Sequence, residues 1–175
     1  SLVVSDLPVQ REQAERAAVL CRVAPSFLRF GHIEFLAQAG PGGTPHPALP
    51  RVVDAFIDQH FATLADEPDA HRRRTAWLRE VIARTARLIA RWQTLGFCHG
   101  VMNTDNFSLL GLTLDHGPFG FMDRFRAHHV ANASDHEGRY AYTAQPAVGQ
   151  WNCSRLLHAA APLLAAQPEA AAERV

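Results

Sequence analysis

Between residues 69 and 95 apolar side chains return every three or four positions: Leu78, Val81, Ile82, Thr85, Leu88, Ile89 and Trp92. Arginines fill much of the remaining face. That period predicts a long helix with one buried stripe, and Gly96 stands where a C-terminal cap is wanted. From Pro25-Ser26, the positions of Phe27, Phe30, Ile33 and Leu36 predict a helix to residue 39. GPGGTPHP at 40–47 breaks it. A further helix is expected over 50–64, with Val53, Phe56, Ile57 and Phe61 on one face, and another over 146–167, carrying Val148, Trp151, Leu156, Leu157 and Leu164. Residues 2–5 and 17–23 are β-prone, with Pro8 and polar residues between them, and predict a hairpin. Residues 124–145 read as irregular, and the tail from 168 as frayed. The order gives an α+β chain, mainly α.

Composition sharpens this in a few places. At 175 residues the chain can bury one core. Formal net charge is zero, so no global field draws nucleic acid or anionic lipid, and neither is expected as a partner. No apolar run reaches the roughly 18–20 residues of a membrane span, and SLVVSDLPVQ lacks a secretory n-region. The expected setting is cytoplasmic, or mitochondrial in a eukaryote. The run Arg72-Arg73-Arg74 invites a nucleic-acid reading, but acids lie nearby and no aromatic platform accompanies it, so a solvated helix face is expected. Cys21, Cys98 and Cys153 are far apart and form neither a CxxC pair nor a disulfide framework. Cys98 is read as a small buried residue, and His128, His129, Asp135 and His136 fit no metal-ligand spacing.

All 17 basic residues are arginines; there is no lysine. That matters for the most informative stretch, HGVMNTDNFSLLGLTLDHG at 99–117. Asp105-Asn106 and Asp115 lie at the two ends of a short apolar, hairpin-like segment, so an amide and a carboxylate can reach one divalent cation. Against the protein-kinase catalytic loop, counted from His99, the metal-binding Asn falls on Asn106 and the metal-binding Asp on Asp115. The kinase base falls on Val101, which takes no proton; Asp105 is the free acid nearby. A kinase-like site also needs a phosphate lysine and a Gly-rich loop, and the chain has neither. Either the phosphates are held differently or the chain is a fragment. The plain alternative for Asp105-Asn106 is a turn or helix cap, and for His99 a loop histidine bonded to backbone.

HGVMNTDNFSLLGLTLDHGPFGFMD at 99–123, RVAPSFLRFGHIEF at 22–35 and GRYAYTAQPAVGQWNCSRL at 138–156 closely resemble signature blocks of the selenoprotein O family (SelO/YdiU) of kinase-like protein adenylyltransferases. The resemblance is collinear over nearly the whole chain. It implies a protein-kinase-like fold, with residues 1–24 ending the N-lobe and 25–175 forming much of a helical C-lobe. It implies ATP bound in a flipped orientation and AMP transferred to Ser, Thr or Tyr hydroxyls of proteins. Asn106 and Asp115 would hold Mg²⁺ (or Mn²⁺), Asp115 would also lie against the nucleotide, Arg22 and Arg29 would contact it, and Asp105 would accept the proton. The family's Gly-rich segment, lysine and paired glutamate are expected before residue 1, so these 175 residues by themselves are expected to be inactive. Two alternatives stay open: a non-catalytic nucleotide-binding pseudokinase, and uridylyl transfer from UTP with Mn²⁺.

Overall fold

The computed structural model describes residues 2–10 and 14–164. It is an α+β chain, mainly helical. Strands β1 (Leu2–Gln10) and β2 (Ala14–Leu20) form an antiparallel hairpin in the register Leu2↔Leu20 to Gln10↔Ala14. Both strands reach further toward the turn than the β-prone runs indicated. Pro8, expected between the strands, lies within β1, where it follows an irregularity in the pairing between Val4 and Pro8. A two-stranded ribbon tolerates this because each strand keeps one unpaired edge.

Helix α1 (Phe30–Gln38) starts some four residues later than its apolar spacing suggested. Residues 26–29 stay outside the helix, and Arg29 is extended (φ −128°, ψ 164°). Arg29 bridges Ser108, Leu28 O accepts from Leu109 N at 3.1 Å, and Phe30 N donates to Phe107 O at 2.9 Å. Pairing with the 107–109 backbone thus overrides the local helical pattern, and Phe27 is left exposed. Helix α2 (Leu49–His60) stops at Phe61, whose φ of −132° and ψ of 63° break the helix before the single turn α3 (Ala62–Ala65). Phe61 breaks the helix but stays buried, with the Arg84 guanidinium 4.5 Å from its ring centroid.

Helix α4 (Ala70–Leu95) has the ends the sequence foretells. Asp69 caps the N-terminus through Arg72 N at 2.9 Å, and Gly96, at φ 66°, caps the C-terminus by donating to Trp92 O. Its buried face is Trp77, Leu78, Val81, Thr85, Ile89 and Trp92. Trp77, absent from the predicted stripe, is fully buried in the core with Phe30, Ile33, Leu49, Val53 and Ile57.

The arginine run is only partly a solvated face. Arg74 grips Asp54 of α2 with two parallel bonds, Nε–Oδ1 at 3.0 Å and Nη2–Oδ2 at 2.7 Å. Arg73 reaches both Asp54 (3.2 Å) and Asp58 (3.1 Å). Partial burial raises the Asp54 pKa, but the hydrogen bond and charge of Arg74, then Arg73, outweigh it and hold the carboxyl below its ordinary value. A depressed folded pKa adds stability that is fully present above the unfolded value and is lost as pH falls through the folded one. Unfolding midpoints measured from pH 5 down to pH 2 should therefore fall less steeply in Asp54→Asn than in the parent. An unchanged pH slope would refute that.

Helix α5 (Gln145–Leu164) packs on α1 and α4. Of the apolar residues expected on it, Leu156 is buried and Val148 and Leu164 pack against the core, but Trp151 and Leu157 are 46% and 42% exposed. The buried face runs instead through Gln145, Gly149, Asn152, Leu156, Ala159, Ala160 and Leu163. These keep helical spacing but include two amides and a glycine, so hydrophobicity alone does not mark the whole face. Gly149 sits against α4, where a Cβ would overlap Ile89 Cδ1 and make that side chain turn aside. Arg155 ties α5 to α1 through Glu34 at 2.7 Å. The end of the expected helix, to residue 167, and the tail beyond it lie outside the described residues. Among the described residues no helix is long and apolar enough to cross a membrane.

Candidate functional site

The stretch 99–117 folds as a loop closed at two levels. Outermost, the short strands β3 (Phe97–Cys98) and β4 (Gly120–Phe121) pair antiparallel. Inside them Phe107 bridges Thr113, and Gly111 at φ 68° turns the chain between the two. Phe107, Leu109 and Leu114 point into the core, so the apolar run is a buried hairpin that presents its ends outward. Thr104–Asn106 forms one 3₁₀ turn just before Phe107. The Phe107–Thr113 bridge thus joins the two arms of the hairpin, with Asn106 one residue before the first arm's bridge residue and Asp115 two residues after the second's.

The acids and amide are disposed differently. Asp105 and Asp115 are exposed, while Asn106 is 8% exposed. Asn106 Nδ2 donates to Val101 O at 2.9 Å, so the amide nitrogen is taken up inside the loop and the oxygen is the atom left to offer outward. The Asp105 carboxylate lies over Gly31 in the first turn of α1.

The two arginines from the 22–35 block flank this segment. Arg29 Nη1 donates to Asp105 O at 2.7 Å. Arg22 donates from Nε and Nη2 to Thr113 O, at 3.2 and 3.0 Å, and from Nη1 to Val23 O. A guanidinium has five N–H donors, which leaves Arg29 four and Arg22 two beyond these bonds. The two arginines thus hold the two arms of one hairpin: Arg29 bonds the Asp105 carbonyl, and Arg22 bonds the carbonyl of Thr113, two residues before Asp115.

Several supporting residues were not foreseen. Gln145, the first residue of α5 and fully buried, accepts from His99 N with Oε1 and donates to Phe97 O with Nε2, both at 2.9 Å. It pairs with the 97–99 backbone as a neighbouring strand would. Asn152, two turns on, donates to Met102 O at 2.9 Å. Trp92 Nε1 donates to Thr113 Oγ1 at 3.2 Å. The sequence signal for the first two was present: amides seven residues apart on a helix whose other inward positions are small or apolar.

His99 is 1% exposed and stacks near Trp92, with ring centroids 5.2 Å apart. Burial pushes its pKa down to about 4, against a pull upward from Asp115 and a further push down from His116. It is therefore neutral near pH 7, with Nδ1 facing Val101 N at 3.4 Å, as a structural loop histidine should be. The Cys98 thiol is buried against the His129 and Tyr140 carbonyls, and burial raises its pKa, the opposite of what a nucleophile needs. Asp135 accepts from Arg139 N (2.9 Å) and Tyr140 N (2.8 Å), so it shapes a turn rather than joining the nearby histidines.

Among the described residues no three His, Cys, Asp or Glu side chains gather to hold a metal by themselves. One carboxylate and one amide oxygen suit a cation that keeps waters and takes its remaining ligands from substrate phosphates, as Mg²⁺ does. The chemistry of these two donors fits such an ion.

A family model described as "Protein adenylyltransferase SelO" matches residues 1–173. The chain is 64% identical over 173 residues to the protein nucleotidyltransferase YdiU of Methylococcus capsulatus, covering 99% of this chain and 33% of that protein. It is 50% identical over 169 residues to the protein of the same name from Ralstonia nicotianae, covering 97% and 31%. The chain thus spans about a third of the length of these relatives.

Proposed function

We propose that the chain, which belongs to the SelO family, carries the metal-holding part of an enzyme that transfers AMP from ATP to Ser, Thr or Tyr hydroxyls of proteins. The observation that supports this reading is that Arg29 bonds the Asp105 carbonyl and Arg22 the Thr113 carbonyl on the two arms of the hairpin joined by the Phe107–Thr113 bridge. In this reading the domain is protein-kinase-like, with the β1–β2 hairpin ending its small lobe and the helices forming its large one. No lysine is present to hold phosphates; that group comes from outside these residues.

Asn106 and Asp115 would hold Mg²⁺, which when bound neutralises phosphate charge and aligns the reacting phosphoryl group. Arg22 and Arg29 direct their remaining N–H donors to phosphate oxygens, which the planar guanidinium suits. The acceptor oxygen attacks the α-phosphorus, the bond from that phosphorus to the bridging oxygen breaks, and pyrophosphate leaves. Asp105 orients the acceptor hydroxyl and takes its proton. Valine at 101, where a kinase has its base, fits a reaction centred on the α-phosphate rather than the γ-phosphate.

The test is double labelling of the full-length gene product with Mg²⁺ and a protein acceptor. Label from α-³²P-ATP should enter acid-precipitable protein with release of pyrophosphate, and label from γ-³²P-ATP should not. Protein labelled only from γ-³²P-ATP makes the enzyme a kinase. Preferential labelling from UTP makes it a uridylyltransferase. Nucleotide binding without any transfer makes it a pseudokinase.

A further inference from the structure

We infer that Gly31 is a positioning residue for Asp105: the absence of a side chain at residue 31 is what lets that carboxylate stand over the first turn of α1. The inference rests on the reading of Asp105 given above. A Cβ built on Gly31 overlaps Asp105 Oδ1 and lies 3.2 Å from its Cγ, but stands at an ordinary 3.5 Å from its Cα. The carboxylate therefore fills the volume a methyl group would take, while the backbone behind it does not.

Nothing in the local conformation asks for glycine. Gly31 lies inside α1 and is not among the residues with positive φ. Alanine is the better helix former by a wide margin. A glycine held against that preference, with its vacant side pressed on an acid of the proposed site, is explained by the acid. The contact also fixes more than distance. Arg29 Nη1 holds the Asp105 carbonyl at 2.7 Å, and the 3₁₀ turn ending at Asn106 fixes the backbone that follows. The remaining freedom of Asp105 is rotation of its side chain. Gly31 on one side limits that rotation, and the helix N-terminus favours negative charge there.

Adding a methyl group at 31 should thus rotate the carboxylate away without disturbing the fold. Stability and activity move in opposite directions, which a purely structural glycine would not show. The experiment is Gly31→Ala in the full-length gene product, read three ways. Its melting temperature should equal or exceed that of the parent. Its kcat for AMP transfer should fall at least tenfold with KM for ATP within twofold. In a Gly31→Ala, Asp105→Asn double variant the loss should be no greater than in Asp105→Asn alone, because both changes remove one carboxylate from one place.

A crystal structure of Gly31→Ala decides the inference even if the parent transfers nothing. Asp105 should occupy a different χ1 rotamer with α1 unmoved. An unchanged Asp105 rotamer, a wild-type kcat, or losses that multiply in the double variant each overturn the role given to Gly31. A parent enzyme that fails to label protein, beside a rotated Asp105, overturns the proposed reaction and leaves the positioning intact.

Discussion

Replacing Asp115 by alanine should lower kcat/KM for AMP transfer by about 10³-fold or more, equivalent to roughly 4 kcal/mol of transition-state stabilisation. Asp115 is the carboxylate of the proposed metal pair, and Asn106 contributes only a neutral oxygen whose amide nitrogen is bound to Val101 O. Without Asp115 the divalent ion would lose its anionic protein ligand, and the triphosphate would keep charge that the remaining cationic side chains, Arg22 and Arg29 among them, must face. Folding should be nearly untouched. Asp115 is exposed, and exposed positions outside special backbone or capping roles usually shift stability by no more than about 0.5 kcal/mol. The measurement is the rate of α-³²P incorporation over a Mg²⁺ titration, beside thermal melting of the same preparations. Asp115→Asn keeps an oxygen and loses the charge, so it should retain measurable rate at a raised metal requirement. If Asp115→Ala works within tenfold of the parent at every metal concentration, Asp115 holds no catalytic metal.

The parts of this chain legible in its sequence are those where local chemistry and burial agree. Helix α4 was legible because Gly96 is a cap by residue type and the stripe before it is apolar. The 99–117 segment was legible because a buried run between polar ends makes a hairpin with its acids at the mouth. The start of α1 was not, because the backbone of residues 28–30 pairs with a strand nearly eighty residues away, and no window of local spacing contains that partner. Helix α5 misled for a different reason. Its inward face is built of Gln145, Gly149 and Asn152, whose burial is justified by what they hold rather than by their hydrophobicity. Apolar residue type therefore named Trp151 and Leu157 beside Leu156 and passed over the amides. The same blindness hid Gly31, whose role lies in the atoms it lacks.

Gln145 carries the largest expected effect on stability. Its amide occupies a fully buried position and satisfies two backbone groups at once, His99 N and Phe97 O, both at 2.9 Å. Gln145→Met keeps most of the volume and the helix, so little cavity arises, but both backbone groups lose their partner. The residues around them are closed to water: Phe97 is 5% exposed and His99 1%. At roughly 1–3 kcal/mol for each unsatisfied buried group, the variant should lose about 2–6 kcal/mol, a large share of the roughly 5–15 kcal/mol that holds a typical domain together. The loss should also be local before it is global. Residues 97–102 lead directly into the turn that carries Asp105 and Asn106, so amide exchange should accelerate most at His99 and next along this segment, with α2 and the first turns of α4 protected as before. Gln145→Glu separates the two bonds. Its carboxylate can accept from His99 N, but its other oxygen then faces Phe97 O, so it should be destabilised at pH 7 and partly restored at acid pH, where a protonated Glu can donate. Urea melts and hydrogen exchange on the parent and both variants check this. A Gln145→Met midpoint within about 0.5 kcal/mol of the parent, or exchange at His99 no faster than elsewhere, would show that the loop carrying the site stands without its amide clamp.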